Sequence, residues 1–222
     1  MRFNKIQVLQ SMIETGIVPV FYHPDVHVVK QVMKACYDGG IRAFEFTNRG
    51  DFAHEVFAEA VKWGASHCPE LIIGAGTVVD AATAALYLQL GANFIVSPVT
   101  NTDIFKMCNR RCVPYIPGCG TASEVGMAHE LGADMVKLFP AENIGGPSFV
   151  KNIKAPMPWT SIMVTGGVEP TDENLTAWFK AGVSCVGIGS NLFPNEVIAK
   201  EEWHRITLLC QSSLEIIRKA RQ

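Results

Sequence analysis

The sequence lacks the charge patterns that mark proteins binding to polyanions. Its 222 residues carry a formal net charge of −2 at pH 7, and the basic residues are scattered rather than gathered into a stripe. Nucleic acids and anionic membrane surfaces are bound by contiguous basic surfaces. The composition therefore predicts no nucleic-acid partner and no membrane partner, and it favours a small-molecule partner.

Long hydrophobic runs are also missing. The least charged stretch, residues 81–99, is interrupted by polar residues, a glycine and Pro98, as in a helix, a turn and a strand rather than one membrane span. Residues 1–15 alternate charged and apolar residues at helical spacing and lack the apolar block and small-residue cleavage site of a secretory signal. We therefore expect an extra N-terminal helix there.

Patterns of metal ligands are sparse. The seven cysteines form no CxxC motif and mostly lie in apolar periodic segments, which predicts reduced packing residues and a cytoplasmic location. His23 and His27 are four residues apart, but the Pro-Asp pair between them indicates the start of a helix. Cys108 and Cys112 are also four residues apart, and they are better explained as residues at the end of a helix than as metal ligands. We expect no metal site and no cofactor.

What the chain does contain is a regular alternation of short β-rich runs with amphipathic stretches of roughly 10 to 15 residues, which is typical of repeated βα units. Eight runs are predicted to be strands. They begin at Ile17, Ile41, Leu71, Asn93, Val113, Asp134, Thr160 and Ser184. Such a count in a chain of this length predicts an α/β fold, a (β/α)8 TIM barrel formed by residues 1–222 as a single domain.

Helix ends support this interpretation. Four predicted helices end on a glycine just before an even-numbered strand, as expected for left-handed C-terminal caps. These glycines are Gly40, Gly91, Gly132 and Gly182. A doubly wound open sheet could show similar junctions. The barrel is favoured because eight units close without remainder, and residues 201–221 form a last amphipathic helix outside it.

Two charged residues fall on inward-facing positions of predicted strands. Side chains alternate along a strand, so Lys137 faces the barrel interior if Val136 and Leu138 face the helices. Glu45 faces the same interior by the same rule. Taken singly, Lys137 could lie on a sheet edge with its ammonium group in water. Glu45 could pair with a neighbouring arginine in solvent.

Further polar residues, a proline and several glycines lie just after the C-terminal ends of strands, where the active site of a barrel is found. Arg49 follows the second strand and Thr77 the third, although Thr77 could instead cap the next helix, a role for which Asp80 competes. Pro98 follows the fourth strand. The loops after strands seven and eight, TGG at residues 165–167 and GIGS at 187–190, contain glycines that could bring backbone N–H groups close to a phosphate, or simply make turns.

Seven motifs occur in an order and spacing that resemble one known family. They are FEFTNR, IGAGTV, SP, PGCGTASE, VKLFPAE, VTGGV and GIGS. Together they resemble the 2-keto-3-deoxy-6-phosphogluconate (KDPG) aldolase and 4-hydroxy-2-oxoglutarate (KHG) aldolase family over nearly the whole chain. The resemblance implies a class I aldolase on a homotrimeric (β/α)8 barrel that needs no cofactor.

The resemblance also implies roles for individual residues. It makes Lys137 the Schiff-base lysine and Glu45 the acid/base carboxylate, and assigns Arg49 and Thr77 to the substrate carboxylate. The other assignments are Pro98, Phe139 and Thr165 to the pocket, and Gly166, Gly167, Gly189 and Ser190 to a terminal phosphate. An imine on Lys137 would accept the electrons of the broken C3–C4 bond, and burial would favour the neutral amine that forms it.

Departures from the family pattern lie around the site. Asn48 and Val164 replace an apolar residue and a proline that are usual there, and Val99 stands where glycine or histidine is frequent. We expect cleavage of KDPG to pyruvate and glyceraldehyde 3-phosphate, with the galactonate epimer or 4-hydroxy-2-oxoglutarate as alternative substrates. Two further functions stay open. One is a phosphate-binding barrel isomerase or epimerase, which would share the two glycine loops, and the second is a non-catalytic binding protein that keeps the barrel.

Overall fold

The structure is a computed structural model that describes residues 2–222. Helices and strands alternate along the chain. The strands are β1 (Ile17–Phe21), β2 (Ala43–Thr47), β3 (Ile72–Gly76), β4 (Ile95–Val96), β5 (Tyr115–Ile116), β6 (Gly118–Cys119), β7 (Val136–Leu138), β8 (Ile162–Thr165) and β9 (Cys185–Ile188). The helices are α1 (Lys5–Thr15), α2 (Val26–Asp38), α3 (Ala53–His67), α4 (Ala81–Gln89), α5 (Thr102–Arg110), α6 (Ala122–Glu130), α7 (Gly146–Lys154), α8 (Asp172–Ala181), α9 (Asn195–Ala199) and α10 (Trp203–Ala220).

All strand pairings are parallel, and the strands follow one another around a barrel. The hydrogen-bonded order is β5-β4-β3-β2-β1-β9-β8-β7-β6. Its two ends, β5 and β6, are consecutive pieces of chain separated only by Pro117. The ring is closed through this residue, because the Pro117 carbonyl accepts a hydrogen bond of 2.8 Å from the Lys137 backbone N–H. The predicted (β/α)8 barrel is thus confirmed.

The fifth predicted strand needs a correction. The sequence predicts one strand through VPYIPG, whereas the structure divides it into β5, which pairs with β4, and β6, which pairs with β7. Pro117 lacks the N–H group that a continuous ladder requires, so the regular pairing is interrupted there. The interruption changes the number of strand segments and leaves the barrel topology intact.

Two apolar layers follow from the alternation of side chains along the strands. On β2, Ala43 belongs to the inner cluster of the barrel, whereas Phe44 and Phe46 pack against the surrounding helices. On β7, Val136 and Leu138 likewise face the helices. The inner layer is narrow and filled by side chains, as in other eight-stranded parallel barrels. A charged side chain on an inner position is therefore removed from water unless it lies near the open end.

Helix α1 closes the N-terminal end of the barrel. Asn4 begins it through a capping box with Gln7, and its side chains Val8 and Met12 join the inner cluster. The sequence predicts a helix over residues 1–15; the observed helix starts at Lys5, and Met1 lies outside the described residues. With this end blocked, the opposite end is left for a site.

The last helix, α10, packs against α2 and α8 on the outside of the barrel. Its C-terminal Arg221 donates hydrogen bonds to the carbonyl groups of Ile13, Glu14 and Ser184, and its guanidinium lies 4.8 Å from the Phe179 ring centroid. Arg221 thereby fixes the end of α10 to the last turn of α1 and to the residue before β9. Within residues 2–222, no helix combines the length and the apolar character needed to cross a membrane.

Local signals set most helix boundaries. The four glycines predicted to end helices, Gly40, Gly91, Gly132 and Gly182, all adopt positive φ. Asp80 caps α4, accepting a hydrogen bond from the Thr83 N–H, so the cap is Asp80 and not Thr77. Of the cysteines, all but Cys112 are buried.

Candidate active site

Lys137 and Glu45 face each other in the barrel interior. Lys137 comes from the middle of β7 and Glu45 from the middle of β2, and their Nζ and Oε1 atoms are 3.7 Å apart. Their side chains are 7% and 1% exposed. Lys137 is therefore not a solvated edge lysine. Glu45 is not the partner of a neighbouring arginine, since Arg42 pairs with Glu70.

Glu45 has a specific place in the structure because one neighbour has no side chain. Gly76 lies beside Glu45 on β3, where a Cβ atom would be 1.8 Å from Oε1 and 2.5 Å from the carboxyl carbon. Such a distance is far inside van der Waals contact. Gly76 thus leaves the space that the carboxyl group occupies. This explains why the second glycine of GAG in the IGAGTV motif has no side chain.

The buried carboxyl group has unused hydrogen-bonding capacity. Within residues 2–222, neither Oε1 nor Oε2 of Glu45 has a hydrogen-bond partner, and the separation from Lys137 exceeds a direct hydrogen bond. Buried polar atoms are normally satisfied, so unpaired ones indicate a strained or functional position. The same holds for the hydroxyl of Thr165 at the end of β8. These three oxygens could contact a ligand.

A cavity of about 450 Å³ opens at the C-terminal end of the barrel. Most of the predicted site residues line it. These are Arg49, Phe139, Thr165, Gly166, Gly167, Gly189 and Ser190. Lys137 lies at the inner end of this region, with Nζ 5.3 Å from the centroid of the Phe139 ring. A volume of this size suits a small metabolite.

Four predicted residues are not among those that line the cavity: Lys137 and Glu45, which lie deeper in the barrel interior, and Thr77 and Pro98. Thr77 follows β3, which neighbours β2 on the side away from β1, and Pro98 follows β4, the next strand beyond it. Thr77 adopts a φ of 57°, which is rare for a β-branched residue. Pro98 lies close to β6, because a Cβ atom on Gly118 would be 2.1 Å from the Pro98 carbonyl oxygen. The structure therefore places Thr77 and Pro98 at the rim without bringing them to the main cavity.

Arg49 is exposed in the loop after β2 and lines the cavity. No carboxylate between residues 2 and 222 lies within salt-bridge distance of it. The preceding residue, Asn48, accepts a hydrogen bond of 2.8 Å from the Tyr87 hydroxyl. Burial raises the pKa of Tyr87 to about 12, so this donor stays neutral at physiological pH. The guanidinium can thus meet an anionic ligand from a loop that is fixed at its base.

Some cavity residues are not evident from the sequence motifs. Val20 from β1 and Tyr22 just after it line the cavity, as do Thr47 and Phe193. Strand alternation could have predicted three of them. Val20 and Tyr22 continue the inward alternation that begins at Val18, and Thr47 is two residues beyond the inward-facing Glu45. Phe193 lies in the loop before α9, where no strand period applies.

Comparisons with known proteins agree with one another. The chain matches the family model for KDPG and KHG aldolase over residues 8–209. It is 35% identical over 198 residues to the 2-dehydro-3-deoxy-phosphogluconate aldolase of Pseudoalteromonas atlantica, covering 89% of each chain. It is 32% identical over 207 residues to the KHG/KDPG aldolase of Escherichia coli, covering 93% of this chain and 94% of that one.

A solved structure of an aldolase is similar to this chain over nearly its whole length. It is the KDPG aldolase of Legionella pneumophila, with pyruvate captured at low pH as a covalent carbinolamine intermediate. The TM-score between the two structures is 0.83, with 27% sequence identity. The match covers 91% of this chain and 96% of the Legionella chain.

Proposed function

The chain belongs to the KDPG and KHG aldolase family, and from this premise we propose how its residues cleave a 2-keto-3-deoxy sugar acid. It is an aldolase, a carbon–carbon lyase, so an isomerase or epimerase and a non-catalytic binding protein are set aside. The observation that carries the mechanism is the buried pair of Lys137 and Glu45, in which both carboxyl oxygens of Glu45 lack a hydrogen-bond partner among the described residues. An amine and a carboxyl group in this arrangement supply the two functions that imine-based cleavage needs.

The first step forms a carbon–nitrogen bond. The neutral Lys137 amine adds to the C2 carbonyl of the substrate and gives a carbinolamine, which loses water to become an iminium ion. A proton can pass between Lys137 and Glu45 without changing the net charge of the buried pair. That transfer yields the neutral amine required for attack and the neutral acid that assists the departure of water.

The second step breaks the C3–C4 bond. Glu45 accepts the proton of the C4 hydroxyl, the C4 carbon becomes an aldehyde, and the bonding electrons move through C3 to the iminium nitrogen to give an enamine. Protonation at C3 and hydrolysis of the imine then release pyruvate and return the free lysine. The unpaired oxygens of Glu45 leave the carboxyl group available for these transfers.

The substrate carboxylate is assigned to Arg49 and Thr77. A guanidinium can bind a carboxylate through two parallel hydrogen bonds, and a hydroxyl can add one more. Arg49 has no internal carboxylate partner among the described residues, which supports this role. Phe139 and Thr165 line the cavity, with the Phe139 ring beside the lysine. Pro98 is assigned to the pocket from its place at the rim.

A terminal phosphate is assigned to the loops after β8 and β9. Gly166 and Gly167 adopt φ angles of 95° and 78°, and both line the cavity with Gly189 and Ser190. Backbone N–H groups and a serine hydroxyl suit a dianion, and barrels commonly bind phosphate at this position. We therefore propose KDPG as the preferred substrate, giving pyruvate and glyceraldehyde 3-phosphate.

Substrate choice is tested by comparing kcat/KM for KDPG, its galactonate epimer, their unphosphorylated forms and 4-hydroxy-2-oxoglutarate. Replacing Ser190 with Ala should cost about 1.5 to 3 kcal/mol with the phosphorylated substrates and little with the unphosphorylated sugar acids. Equal efficiency with and without phosphate in both proteins would reject the phosphate assignment. The aldolase chemistry would remain.

We further propose that the enzyme is a cytoplasmic homotrimer of single-domain chains. Exposed apolar side chains support the assembly: Phe52, Val79 and Val99 are 67%, 51% and 51% exposed, and they lie on the adjacent loops after β2, β3 and β4. Clusters of this kind often mark interfaces. Light scattering that gives a monomer or dimer mass would contradict the trimer. Two separate unfolding transitions would contradict the single domain.

A further inference from the structure

Three successive carbonyl groups in the loop after β8 accept hydrogen bonds from other parts of the protein. The carbonyl of Gly166 accepts a hydrogen bond of 3.2 Å from the Glu142 N–H. The next carbonyl, that of Gly167, accepts one of 3.0 Å from the Asn174 side-chain amide on α8. The carbonyl of Val168 accepts one of 2.9 Å from the Asn191 amide in the loop after β9. Three successive acceptors are therefore occupied by donors of the protein itself.

The orientation of each amide side chain follows from its partners. Asn174 donates to the Gly167 carbonyl and at the same time accepts a hydrogen bond of 3.0 Å from the Glu169 N–H. Asn191 faces a carbonyl oxygen, so its amino group must be the donor. Asn174 thus fixes the loop from the helix that follows it, and Asn191 joins it to the neighbouring loop that contains Ser190.

Engaged carbonyls determine where the N–H groups point. In a trans peptide the N–H group lies opposite the preceding carbonyl. The N–H groups of Gly167 and Val168 therefore point away from the donors that hold the Gly166 and Gly167 carbonyls. No acceptor in residues 2–222 is hydrogen-bonded to these two N–H groups, and both residues line the cavity. With its carbonyls turned away, the loop presents donors.

We propose that Asn174 and Asn191 are positioning residues for the phosphate of the substrate. Asn174 fixes the peptide group that presents the Val168 N–H to the phosphate, and Asn191 fixes the next peptide group and thereby the course of the loop. This inference rests on the proposed phosphate site. A loop free to turn its peptide groups could present a carbonyl oxygen to the anion, and that contact would be repulsive. The two asparagines prevent it by hydrogen-bonding the carbonyls of Gly167 and Val168. Asn191 lines the cavity, but its amino group is engaged by the Val168 carbonyl.

The test uses substitutions of similar size without hydrogen-bonding groups, Asn174→Leu and Asn191→Leu, made in the full-length enzyme. The matched control is Asn109→Leu, because Asn109 also donates its side-chain amide to a carbonyl, that of Leu131, on a different part of the barrel. For each protein, kcat and KM are measured with KDPG and with 2-keto-3-deoxygluconate. Inhibition by inorganic phosphate is measured against the unphosphorylated substrate.

The quantity to compare is the ratio of kcat/KM for the phosphorylated and the unphosphorylated substrate. We expect each variant to lower this ratio about tenfold, mainly through KM, and to weaken phosphate inhibition by a similar factor. Asn109→Leu should leave both quantities at the wild-type value. Equal losses with both substrates would indicate a merely structural role and overturn the inference.

Failure of the phosphate site itself gives a different result. If the wild-type enzyme shows no preference for the phosphorylated substrate and no inhibition by phosphate, both the site and the inference are rejected. If the wild-type enzyme shows the preference and both leucine variants retain it, the site stands and the positioning role is rejected.

Discussion

Replacing Gly76 with alanine should displace the carboxyl group of Glu45, the proposed acid/base group, without changing any residue assigned to the substrate. An added Cβ atom would lie 1.8 Å from Oε1 of Glu45, whereas ordinary van der Waals contact begins at 3.4 Å. The carboxyl group must therefore move by roughly 1.5 Å. Gly76 has no positive φ, so backbone strain does not contribute.

The magnitude follows from the displacement. A misplacement of about 1 Å can cost about 100-fold in rate, which is about 2.7 kcal/mol in the activation free energy. We expect kcat to fall at least about 100-fold. Overpacking of the interior should also lower the free energy of unfolding by about 1 to 3 kcal/mol. Release of pyruvate, followed through the NADH consumed by lactate dehydrogenase, measures the rate, and urea denaturation measures stability.

Gly126→Ala is the matched control, because no atom lies within 4 Å of the position that its Cβ would take and the residue is in a helix. Alanine favours a helix over glycine, so this variant should keep the wild-type rate and gain about 0.5 to 1 kcal/mol of stability. A folded Gly76→Ala enzyme with wild-type kcat would refute the reasoning about Glu45.

Other predictions concern the surrounding structure. Arg49→Lys should raise KM for the substrate about tenfold in steady-state assays, because lysine cannot form two parallel hydrogen bonds to the substrate carboxylate. An unchanged KM would reject the assignment of Arg49 to that carboxylate. Tyr87→Phe should destabilise the protein by about 1 kcal/mol in urea titrations. Burial holds the pKa of Tyr87 at about 12, above its unfolded value, so wild-type stability should fall between pH 10 and 12 and fall less steeply in this variant. Arg221→Ala should cost about 2 kcal/mol through its three carbonyl contacts, and an unchanged melting temperature would contradict that role. Exhaustive chelation should leave activity unchanged because the imine supplies the electron sink; recovery by a divalent cation after loss would contradict this mechanism.

The alternation of side chains along strands and the positions of glycine and proline made much of the fold predictable. The alternation along β2 and β7 places Glu45 and Lys137 on one interior, and the structure brings their charged atoms to 3.7 Å. Helix-ending glycines such as Gly182 were visible because only a residue without a Cβ adopts positive φ readily. The division of the fifth strand at Pro117 could have been predicted as well, since proline cannot donate to a ladder.

Other parts of the site depend on contacts between distant segments, which no local pattern encodes. The space that Gly76 leaves for Glu45 is visible only when β2 and β3 are in register. In the sequence, Asn174 is an ordinary helix-start residue and Asn191 an ordinary loop residue. Their hydrogen bonds to the loop after β8 form only when the separate segments meet in the fold. The same applies to Phe193, which reaches the cavity from an irregular segment.

The central claim is that Lys137 forms the imine with the substrate. The enzyme is incubated with pyruvate and borohydride, digested, and examined by mass spectrometry, with Lys154 as an internal control because its Nζ atom is part-buried and bonded to the Thr160 carbonyl. We predict loss of activity together with a reduced pyruvyl adduct on the peptide that contains Lys137, and an unmodified Lys154. An inactivated enzyme with unmodified Lys137, or full activity after the treatment, would contradict the mechanism.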